Sequence, residues 1–497
     1  MLPKNCTRID ANRIRIDGTS VPAVVFANKD VPVEDSAIDE LKELLELQKT
    51  ADIYYQDSPD LFSEAPQVTR VSLSPDFHKG AGIPIGTTLI TRGMAIPQSV
   101  GNDINCGVRL HRTSLKRDQV SKKIDALGNR LRQIFFEGGR NIPLTQDERL
   151  QILTNGLKGF LDVHQNRDGI WNLFDPIQQK KDLLRTKHQG CYSTGDKVWG
   201  LSDYTNRVGV SHDSQIGSIG GGNHFVEIQV VDKIINGTTA HYWGLKPGNI
   251  VVMVHSGSVN VGHLCGEAYK DLIRSIYPKK LSHPKNGIFP LPDRHPAYQT
   301  FFTALHNAAN FAFLNRLCLS LMTRQALLET IGDHDFELVY DTPHNLAWNQ
   351  DDGSIIHRKG ASPAGGIGEG CDDYLGEVVL TPGSMGSSSY IMEGCGNPDA
   401  LGTASHGAGR ALSRGETLRG HDAEFQKFLS EFKIITPVDP NRQDIKRRPE
   451  ILDKYYENLR KEAPFAYKDI GPVVQTLQDA NVAKPVAELK PLLTIKG

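Results

Sequence analysis

The sequence predicts an α+β fold in which mixed β-sheets surround a central cleft and a helical insertion covers about residues 117–190. Strand-sized apolar runs that end at turns carrying His, Asn, Gly or Ser predict the sheets. Two longer stretches repeat apolar residues at every third or fourth position and predict helices. Polar motifs are scattered from residue 75 to residue 497. We therefore expect one large domain over residues 1–497, because a division would separate these motifs.

The predicted helices differ in how deeply they should be buried. Residues 36–50 have the pattern of an amphipathic surface helix with Ser36 as its cap. Residues 117–190 are rich in Lys, Arg and Gln and space their apolar residues by three and four, which predicts the helical insertion. Residues 297–330 are dense in Phe, Leu and Ala, so this helix should be largely buried, and Gly332 is expected to end it.

Four apolar runs predict strands, at residues 225–231, 250–254, 336–340 and 377–380. Each run lies next to a turn that carries His, Asn, Gly or Ser. The glycine-rich stretch 361–370 contains Pro363 and is expected to form a loop. The chemically active side chains should therefore gather where strands end.

The composition is that of an ordinary globular protein. Hydrophobic residues make up 39% and charged residues 23% of the chain, which excludes a disordered chain and a small disulfide scaffold. Lys and Arg total 56 and Asp and Glu total 58, so the net charge is −2. With no global positive field, any contact with nucleic acid must be local.

Neither a membrane segment nor an export signal is expected. Apolar runs such as residues 250–254 are far shorter than the roughly 20 residues of a membrane helix. The opening MLPKNCTRID lacks the apolar core of a signal peptide, so we expect a cytoplasmic location. The seven cysteines are an odd number without a Cys-x-x-Cys pair, which argues against a disulfide framework or a zinc ribbon. Any functional cysteine should act singly.

The segment GNDINCG at residues 101–107 places the carboxylate of Asp103 three residues before the thiol of Cys106. A thiolate can bridge two metal ions, and the flanking glycines allow close approach of the backbone. Taken alone, Cys106 could equally be a buried small hydrophobic residue.

Three histidines lie where a predicted strand meets a turn, namely His224, His255 and His344. With Asp103 and Cys106 they supply one carboxylate, one thiolate and three imidazoles. That set is sufficient for two divalent ions that share a ligand. Each histidine by itself could also be a hydrogen-bonded core residue, but the repeated context favours shared ligation.

Small-residue loops at 217–222, 382–389 and 406–410 can turn backbone N–H groups and hydroxyls toward a phosphate, although each could also be only a tight turn. GSIGGG is followed by a predicted strand, and no Walker lysine motif is present, so a nucleotide site would be unconventional. A neutral imidazole can attack phosphorus directly. Spacing alone does not choose among His406, His255 and His357 for that role.

Taken in order, the motifs closely resemble the RtcB family of RNA ligases. The resemblance covers most of the chain and rests on these segments: SPDFHKGAGIPIG, GNDINCGVRL, GSIGGGNHFVEIQ, HSGSVNVGH, AANFAFLNR, the His344-Asn345 pair, HRKGA, PGSMGSSSY, SHGAGRALSR, EAPFAYKDI and the terminal IKG. Such ligases join an RNA 2′,3′-cyclic phosphate or 3′-phosphate end to a 5′-hydroxyl end with GTP and manganese, in tRNA splicing or RNA repair. The resemblance implies a central cleft for metal and nucleotide.

The resemblance also implies a role for individual residues. Two Mn²⁺ ions would be bound by Asp103, Cys106, His224, His255 and His344, and His406 would be the catalytic nucleophile that carries GMP. The guanosine nucleotide would lie against Asn223, His224, Glu227, His344, Asn345, Pro382, Gly383, Ser384, Met385, Ser389, His406, Gly407, Ala408, Gly409, Tyr467 and Lys496. For RNA phosphate we expect contacts from Arg358, Lys359, Arg410 and Arg414, although these cations could equally form a solvated basic surface.

One departure from the family pattern lies in HSGSVNVG, where Val259 stands in place of the arginine of most relatives. A bidentate phosphate contact would then be missing, and the recognition of RNA ends could differ, as in a paralogue with altered end specificity. Two other classes remain open: a dinuclear metal-dependent phosphoesterase without a covalent nucleotide, and a non-catalytic RNA-binding subunit. The need for an archease-type activating partner is a further open expectation.

Overall fold

The computed structural model describes residues 2–206, 208–212 and 215–497, and the side chains of Ser211 and His212 are not considered. Within these ranges the chain combines helices with two large, mostly antiparallel sheets and three small ones. The predicted α+β fold class is therefore confirmed. The extent of the domain stays a prediction.

The strands form the two large sheets and the three small ones. In chain order they are β1 Cys6–Arg8, β2 Arg13–Ile16, β3 Ala23–Phe26, β4 Gln67–His78, β5 Ile85–Arg92, β6 Met94–Ala95, β7 Gly107–Lys116, β8 Pro143–Leu144, β9 Ser211–His212, β10 Phe225–Ile234, β11 Asn249–Ser256, β12 Leu291–Pro292, β13 Phe336–Pro343, β14 Asn345–Asn349, β15 Ile355–Lys359, β16 Ala361–Pro363, β17 Val378–Thr381, β18 Ser389–Gly394, β19 Thr403–Ser405, β20 Lys433–Ile435 and β21 Ala483–Ile495.

The two large sheets have different strand orders. The first runs β1-β2-β3-β4-β5-β15-β14, with only the β3–β4 pair parallel. The second runs β13-β7-β11-β10-β21-β18-β17, with β20 added to β21 in parallel. Val and Ile dominate β11, and every residue of this strand is buried, as expected for a strand covered on both faces.

The helices, in chain order, are α1 Asp35–Leu45, α2 Leu47–Asp57, α3 Arg117–Ser121, α4 Ile124–Phe136, α5 Gln146–Val163, α6 Pro176–Leu184, α7 Ser202–Thr205, α8 Gly237–Tyr242, α9 Val259–Ile276, α10 Pro296–Thr330, α11 Asp422–Glu431, α12 Gln443–Lys446, α13 Pro449–Lys461 and α14 Ile470–Asp479. None of the described helices is long and apolar enough to cross a membrane. The seven cysteines all lie within the described residues, and none of them forms a disulfide there.

The long helix α10 forms the centre of the core. It packs against α4, α5, α9 and β11, and most of its side chains are buried around its whole circumference. Pro296 at its first position and His295 as its cap begin the helix. The helices of the 117–190 segment therefore cover one side of α10, and their predicted helical character is confirmed.

Two local predictions needed correction. The helix expected over residues 36–50 is divided at Glu46 into α1 and α2, and Ser36 makes no capping hydrogen bond, because the helix already begins at Asp35. The stretch 361–370 is not all loop, since residues 361–363 pair with β19 as strand β16. The predicted strands are present at 225–231, 250–254 and 336–340, and the fourth begins one residue late, at Val378.

Candidate metal and nucleotide site

Four strand ends meet beside the second sheet and bring the predicted ligands together. β7 begins directly after Cys106, and β10 begins directly after His224. In the register of the sheet, Gly107 lies opposite both Ser256 and Pro343, and Phe225 lies opposite His255. Because neighbouring strands are antiparallel, the start of one strand lies next to the end of the other. Five candidate ligands scattered over 242 residues of sequence are thus neighbours in space.

The ligand atoms form one continuous cluster. Cys106 Sγ lies 3.1 Å from His224 Nε2 and 3.3 Å from His255 Nε2. His255 Nε2 lies 3.3 Å from His344 Nε2, and His224 Nε2 lies 2.7 Å from the Oδ2 atom of Asp103. The thiol, with one histidine nitrogen on each side, is the centre of the cluster. Cys106, His224 and His255 are buried, and their ligand atoms lie within 4.8 Å of one another.

A contact outside the cluster orients the side chain of His224, and another holds the backbone of His344. His224 Nδ1 lies 3.0 Å from the carbonyl oxygen of Ile219, so its Nε2 atom faces the cluster. The His344 backbone N–H donates to the carbonyl of Cys106 at 2.8 Å. Ligand histidines in proteins are usually oriented by a partner on the other ring nitrogen, and His224 has such a partner. The donor set therefore fits a pair of divalent metal ions.

The pKa shifts of the candidate ligands are consistent with metal binding. Burial lowers the pKa of His255 and of His344 well below the ordinary value, so both imidazoles are neutral, as ligands must be. Burial acts to raise the pKa of Asp103, but His224, Cys106 and Arg316 together outweigh it, and the pKa is lowered. Burial and the neighbouring Asp103 raise the pKa of the Cys106 thiol. Such a thiol needs a cation before it can persist as a thiolate.

Next to the cluster lies His406, whose ring centroid is 4.8 Å from that of His344. Its Nδ1 atom lies 2.5 Å from Oδ2 of Asp76, a fully buried carboxylate. Burial acts to raise the pKa of Asp76, but the His406 ring, Ser74 and His78 together outweigh it, and the pKa is lowered. Gly409, with φ 75°, lies so close to Asp76 that an added Cβ would be 2.3 Å from the Asp76 carbonyl oxygen. Only glycine fits there, so the HGAG turn is shaped to bring His406 to Asp76.

Sequence reasoning missed Asp76, although it lies in the SPDFH segment used for the resemblance. A carboxylate on Nδ1 selects one tautomer and leaves Nε2 as the lone-pair nitrogen. The other two histidines left open by spacing are engaged elsewhere. His357 has Ser99 Oγ 2.8 Å from Nδ1 and Thr91 Oγ1 3.1 Å from Nε2, and His255 belongs to the ligand cluster. The geometry thus favours His406.

A cleft of about 1200 Å³ joins the ligand cluster, His406 and the small-residue loops. Most of the residues expected at the nucleotide line it: Asn223, His344, Asn345, Pro382, Gly383, Ser384, Met385, His406, Gly407, Ala408, Gly409, Tyr467 and Lys496. Lys496 donates to the carbonyl of Gly222 at 2.5 Å, which holds the end of the chain beside the cleft. Burial lowers the pKa of Lys496 to about 8.

Three expected nucleotide residues do not line the cleft: His224 belongs to the ligand cluster, and Glu227 and Ser389 lie behind the cleft lining. Gln229 Nε2 donates to Glu227 at 2.7 Å and to Ser389 Oγ at 3.0 Å. Ser389 Oγ in turn accepts the Gly383 N–H at 3.1 Å, so these hydrogen bonds connect Glu227 to the backbone of the 382–389 loop. Burial raises the pKa of Glu227 to about 7.

The expected phosphate-binding cations do not all reach the cleft. Lys359, Arg410 and Arg414 line it. Arg358 does not: its guanidinium lies 4.6 Å from the centre of the Trp348 ring, and its Nε atom donates to Thr403 Oγ1 at 2.9 Å. Neighbouring residues of strand β15 point to opposite faces, so Lys359 faces the cleft and Arg358 faces away from it.

Val259 begins helix α9 in the left-handed region, with φ 43°. This conformation is strained for a β-branched residue. An added Cβ on Gly220 would lie 3.1 Å from Val259 Cγ1, and one on Gly222 would lie 3.2 Å from Arg414 Nη2. Val259 and Arg414 therefore contact the same 220–222 turn.

The chain is similar to known proteins over most of its length. The family model described as "tRNA-splicing ligase RtcB" matches residues 61–497. A "tRNA-splicing ligase RtcB" of Thermococcus kodakarensis is 31% identical, over 96% of this chain and 95% of that protein. An "RNA-splicing ligase RtcB" of Mycobacterium tuberculosis is 32% identical, over 87% of this chain and 98% of that protein. The chain belongs to the RtcB family.

Proposed function

We propose that this protein is an RNA ligase that joins a 2′,3′-cyclic phosphate or 3′-phosphate end to a 5′-hydroxyl end through a covalent His406–GMP intermediate, in tRNA splicing or RNA repair. The observation that carries the proposal is the buried Asp76–His406 pair, which lies beside the five-ligand cluster and in the same cleft as the 382–385 loop. A metal-dependent phosphoesterase would need the cluster but not an oriented histidine outside it.

The cluster distances suggest how five ligands serve two Mn²⁺ ions. Asp103 and His224 are in contact at one end, and His255 and His344 at the other, with Cys106 between the two pairs. We assign Asp103, Cys106 and His224 to one ion and Cys106, His255 and His344 to the other. When bound, the ions would neutralise phosphate oxygens and lower the pKa of an attacking water or hydroxyl. Manganese rests on family membership, because a thiolate by itself favours softer metals.

In the first covalent step, His406 Nε2 attacks the α-phosphorus of GTP, a P–N bond forms, and pyrophosphate leaves. Asp76 holds the Nδ1 proton and stabilises the positive charge that develops on the ring. Gly407 lines the cleft beside His406 and leaves room for the phosphoryl group. Arg410 lies at the same wall and can balance the charge of the phosphate.

Two further displacements complete the reaction. A 3′-phosphate oxygen of RNA, released beforehand from a cyclic phosphate by water, attacks the phosphorus of His406–GMP, and Nε2 leaves. The 5′-hydroxyl then attacks the RNA phosphorus, loses its proton, and displaces GMP as the phosphodiester forms. Incubation with α-labelled GTP and Mn²⁺, followed by denaturing electrophoresis, tests the covalent step. A protein that never retains label, with or without an archease-type activator, would instead support the phosphoesterase alternative.

Asp76→Asn should slow guanylylation by about 10²- to 10⁴-fold while leaving the affinity for GTP nearly unchanged. The amide is uncharged and can donate a hydrogen bond to Nδ1, so the tautomer with a lone pair on Nε2 loses its stabilisation. Single-turnover label transfer over a range of GTP concentrations separates rate from affinity. Asp76→Glu, which keeps the charge, should recover part of the rate. Equal losses in both variants would point to a packing defect.

Val259→Arg should improve ligation of a 3′-phosphate or cyclic-phosphate end by roughly ten- to a hundredfold at limiting RNA, because a charge-assisted phosphate contact contributes about 1.5–3 kcal/mol. The replacement also removes a β-branched residue from a left-handed position. Apparent KM for each end type is the measurement. No gain for either end would mean that Arg414, at the same turn, already fills this role, and Arg414→Met should then weaken RNA binding.

A further inference from the structure

Arg316 is a fully buried arginine on α10 that contacts three separate segments of the ligand cluster. Its Nε donates to Oδ1 of Asp341 at 2.8 Å. Its Nη1 donates to the carbonyls of Asn105 at 2.7 Å and Ser256 at 3.1 Å, and its Nη2 donates to Oδ1 of Asn105 at 3.2 Å. These segments carry Cys106, His255 and His344, respectively one residue after Asn105, one before Ser256 and three after Asp341.

Arg316 contacts the ligand loop at Asn105, a residue with an uncommon backbone conformation. Asn105 lies between Asp103 and Cys106 and has a left-handed backbone, with φ 52°. Asparagine tolerates this conformation better than most residues other than glycine, and neighbouring groups hold it here. Arg316 binds both oxygens of Asn105, and the Asn105 side chain donates to the carbonyl of Ala309 on α10 at 2.6 Å. The thiol at the centre of the cluster is therefore placed from α10.

The preceding residue, Asn315, holds the remaining ligand segment. Its Oδ1 accepts the backbone N–H groups of Gly217 at 2.8 Å and Ser218 at 3.2 Å. Its Nδ2 donates to the carbonyls of Ser218 and Gly257, both at 3.0 Å. The next residue after Ser218 is Ile219, whose carbonyl orients the ring of His224. Asn315 thus links the His224 segment to the segment that follows His255.

We propose that Asn315 and Arg316 are positioning residues that set the spacing of the two metal subsites. Arg316 fixes the subsite of Cys106, His255 and His344 relative to α10, and Asn315 fixes the turn that orients His224. The inference rests on the proposed division of ligands between two ions. Ligation with two metals depends on their separation, and both halves of this cluster are held by consecutive side chains of one rigid helix.

The chain provides a matched control for Arg316. Arg109 is equally buried and donates to the other oxygen of the same carboxylate, with Nη1 3.0 Å from Asp341 Oδ2. Its side chain also donates to His111 at 2.9 Å, and it has no hydrogen bond to Asn105 or Ser256. A lysine at either position keeps the charge beside Asp341 but removes the fork of N–H donors. The two variants should therefore be similar in stability and different at the ligand cluster.

Calorimetric titration with Mn²⁺ of the full chain tests the proposal. The unmodified protein should bind two ions, and Arg316→Lys should bind at least one of them about 10- to 100-fold more weakly, while Arg109→Lys binds both as before. Co²⁺ used as a second probe should show altered thiolate-to-metal absorption only in Arg316→Lys. Equal weakening in both lysine variants, or unchanged binding in Arg316→Lys, would overturn the role of Arg316.

Asn315→Ala keeps the proposal testable if the arginine variants do not fold. Its control is Asn310→Ala, since Asn310 is a buried asparagine of the same helix that holds Leu153 and Tyr192 by equivalent hydrogen bonds. We expect Asn315→Ala to weaken one Mn²⁺ ion and Asn310→Ala to weaken neither. The reverse would refute the role of Asn315. Failure of the unmodified protein to bind two ions would instead overturn the proposed metal centre.

Discussion

His406→Ala should abolish both the transfer of label from GTP to the protein and the joining of RNA ends, while two Mn²⁺ ions still bind. The imidazole is the proposed nucleophile, and no other histidine considered for the role combines a buried carboxylate partner with access to the cleft. In the proposed metal centre, His224, His255 and His344 would each have a lone pair engaged by metal. His357 has hydrogen-bond partners near both ring nitrogens. Loss of His406 therefore removes the covalent step.

The control for this variant is His357→Gln, which alters the other histidine that spacing had left open. This protein should still accept label, and the labelled bond should be acid-labile and stable to alkali, as expected for a phosphoramidate. Metal binding by His406→Ala, measured by Mn²⁺ titration, distinguishes loss of the nucleophile from loss of the fold. If His406→Ala still became guanylylated, the nucleophile would lie elsewhere and the proposed mechanism would fail.

The ligand cluster could be anticipated from the sequence because strand ends are readable from apolar runs. His224 precedes a predicted strand, His255 lies near the end of another and His344 follows a third, whereas strand β7, which follows Cys106, was not predicted. Antiparallel pairing brings such ends together, so a recurring context in the sequence becomes proximity in space. The same argument explains why the fold class was predictable, whereas the break at Glu46 between α1 and α2 was not, since both sides continue one apolar pattern.

Other parts of the site depend on contacts that no local pattern encodes. Asp76 and His406 are 330 residues apart, and only the folded chain pairs them. Arg358 and Lys359 are adjacent in a fully buried strand, so composition could not say which of them faces the cleft. Asn315 and Arg316 lie in an apolar helix, where a polar pair signals a buried network but not its partners.

The largest effect on metal content should come from Cys106→Ala. The thiol lies between His224 and His255, so in the proposed metal centre it would be the ligand that both ions share. Without the thiol, Asp103 and His224 form one pair of ligands, and His255 and His344 form another. No anionic ligand is then shared between the two pairs. We expect loss of at least one Mn²⁺ ion, affinity for the other reduced by more than about 100-fold, and ligation at background.

Cys265→Ala is the matched control, because Cys265 is also a fully buried cysteine but lies in α9, outside the ligand cluster. It should keep two ions and full ligation, apart from a modest loss of stability from the missing sulfur. Cys106→Ser separates charge from size, since a hydroxyl fills the space but does not ionise as a thiol does. Metal content of each variant, measured after equilibrium dialysis against Mn²⁺, is the decisive quantity. A Cys106→Ala protein that retained two ions and full activity would exclude the bridging thiolate, and the cluster would then have to bind its ions through the histidines and Asp103 alone.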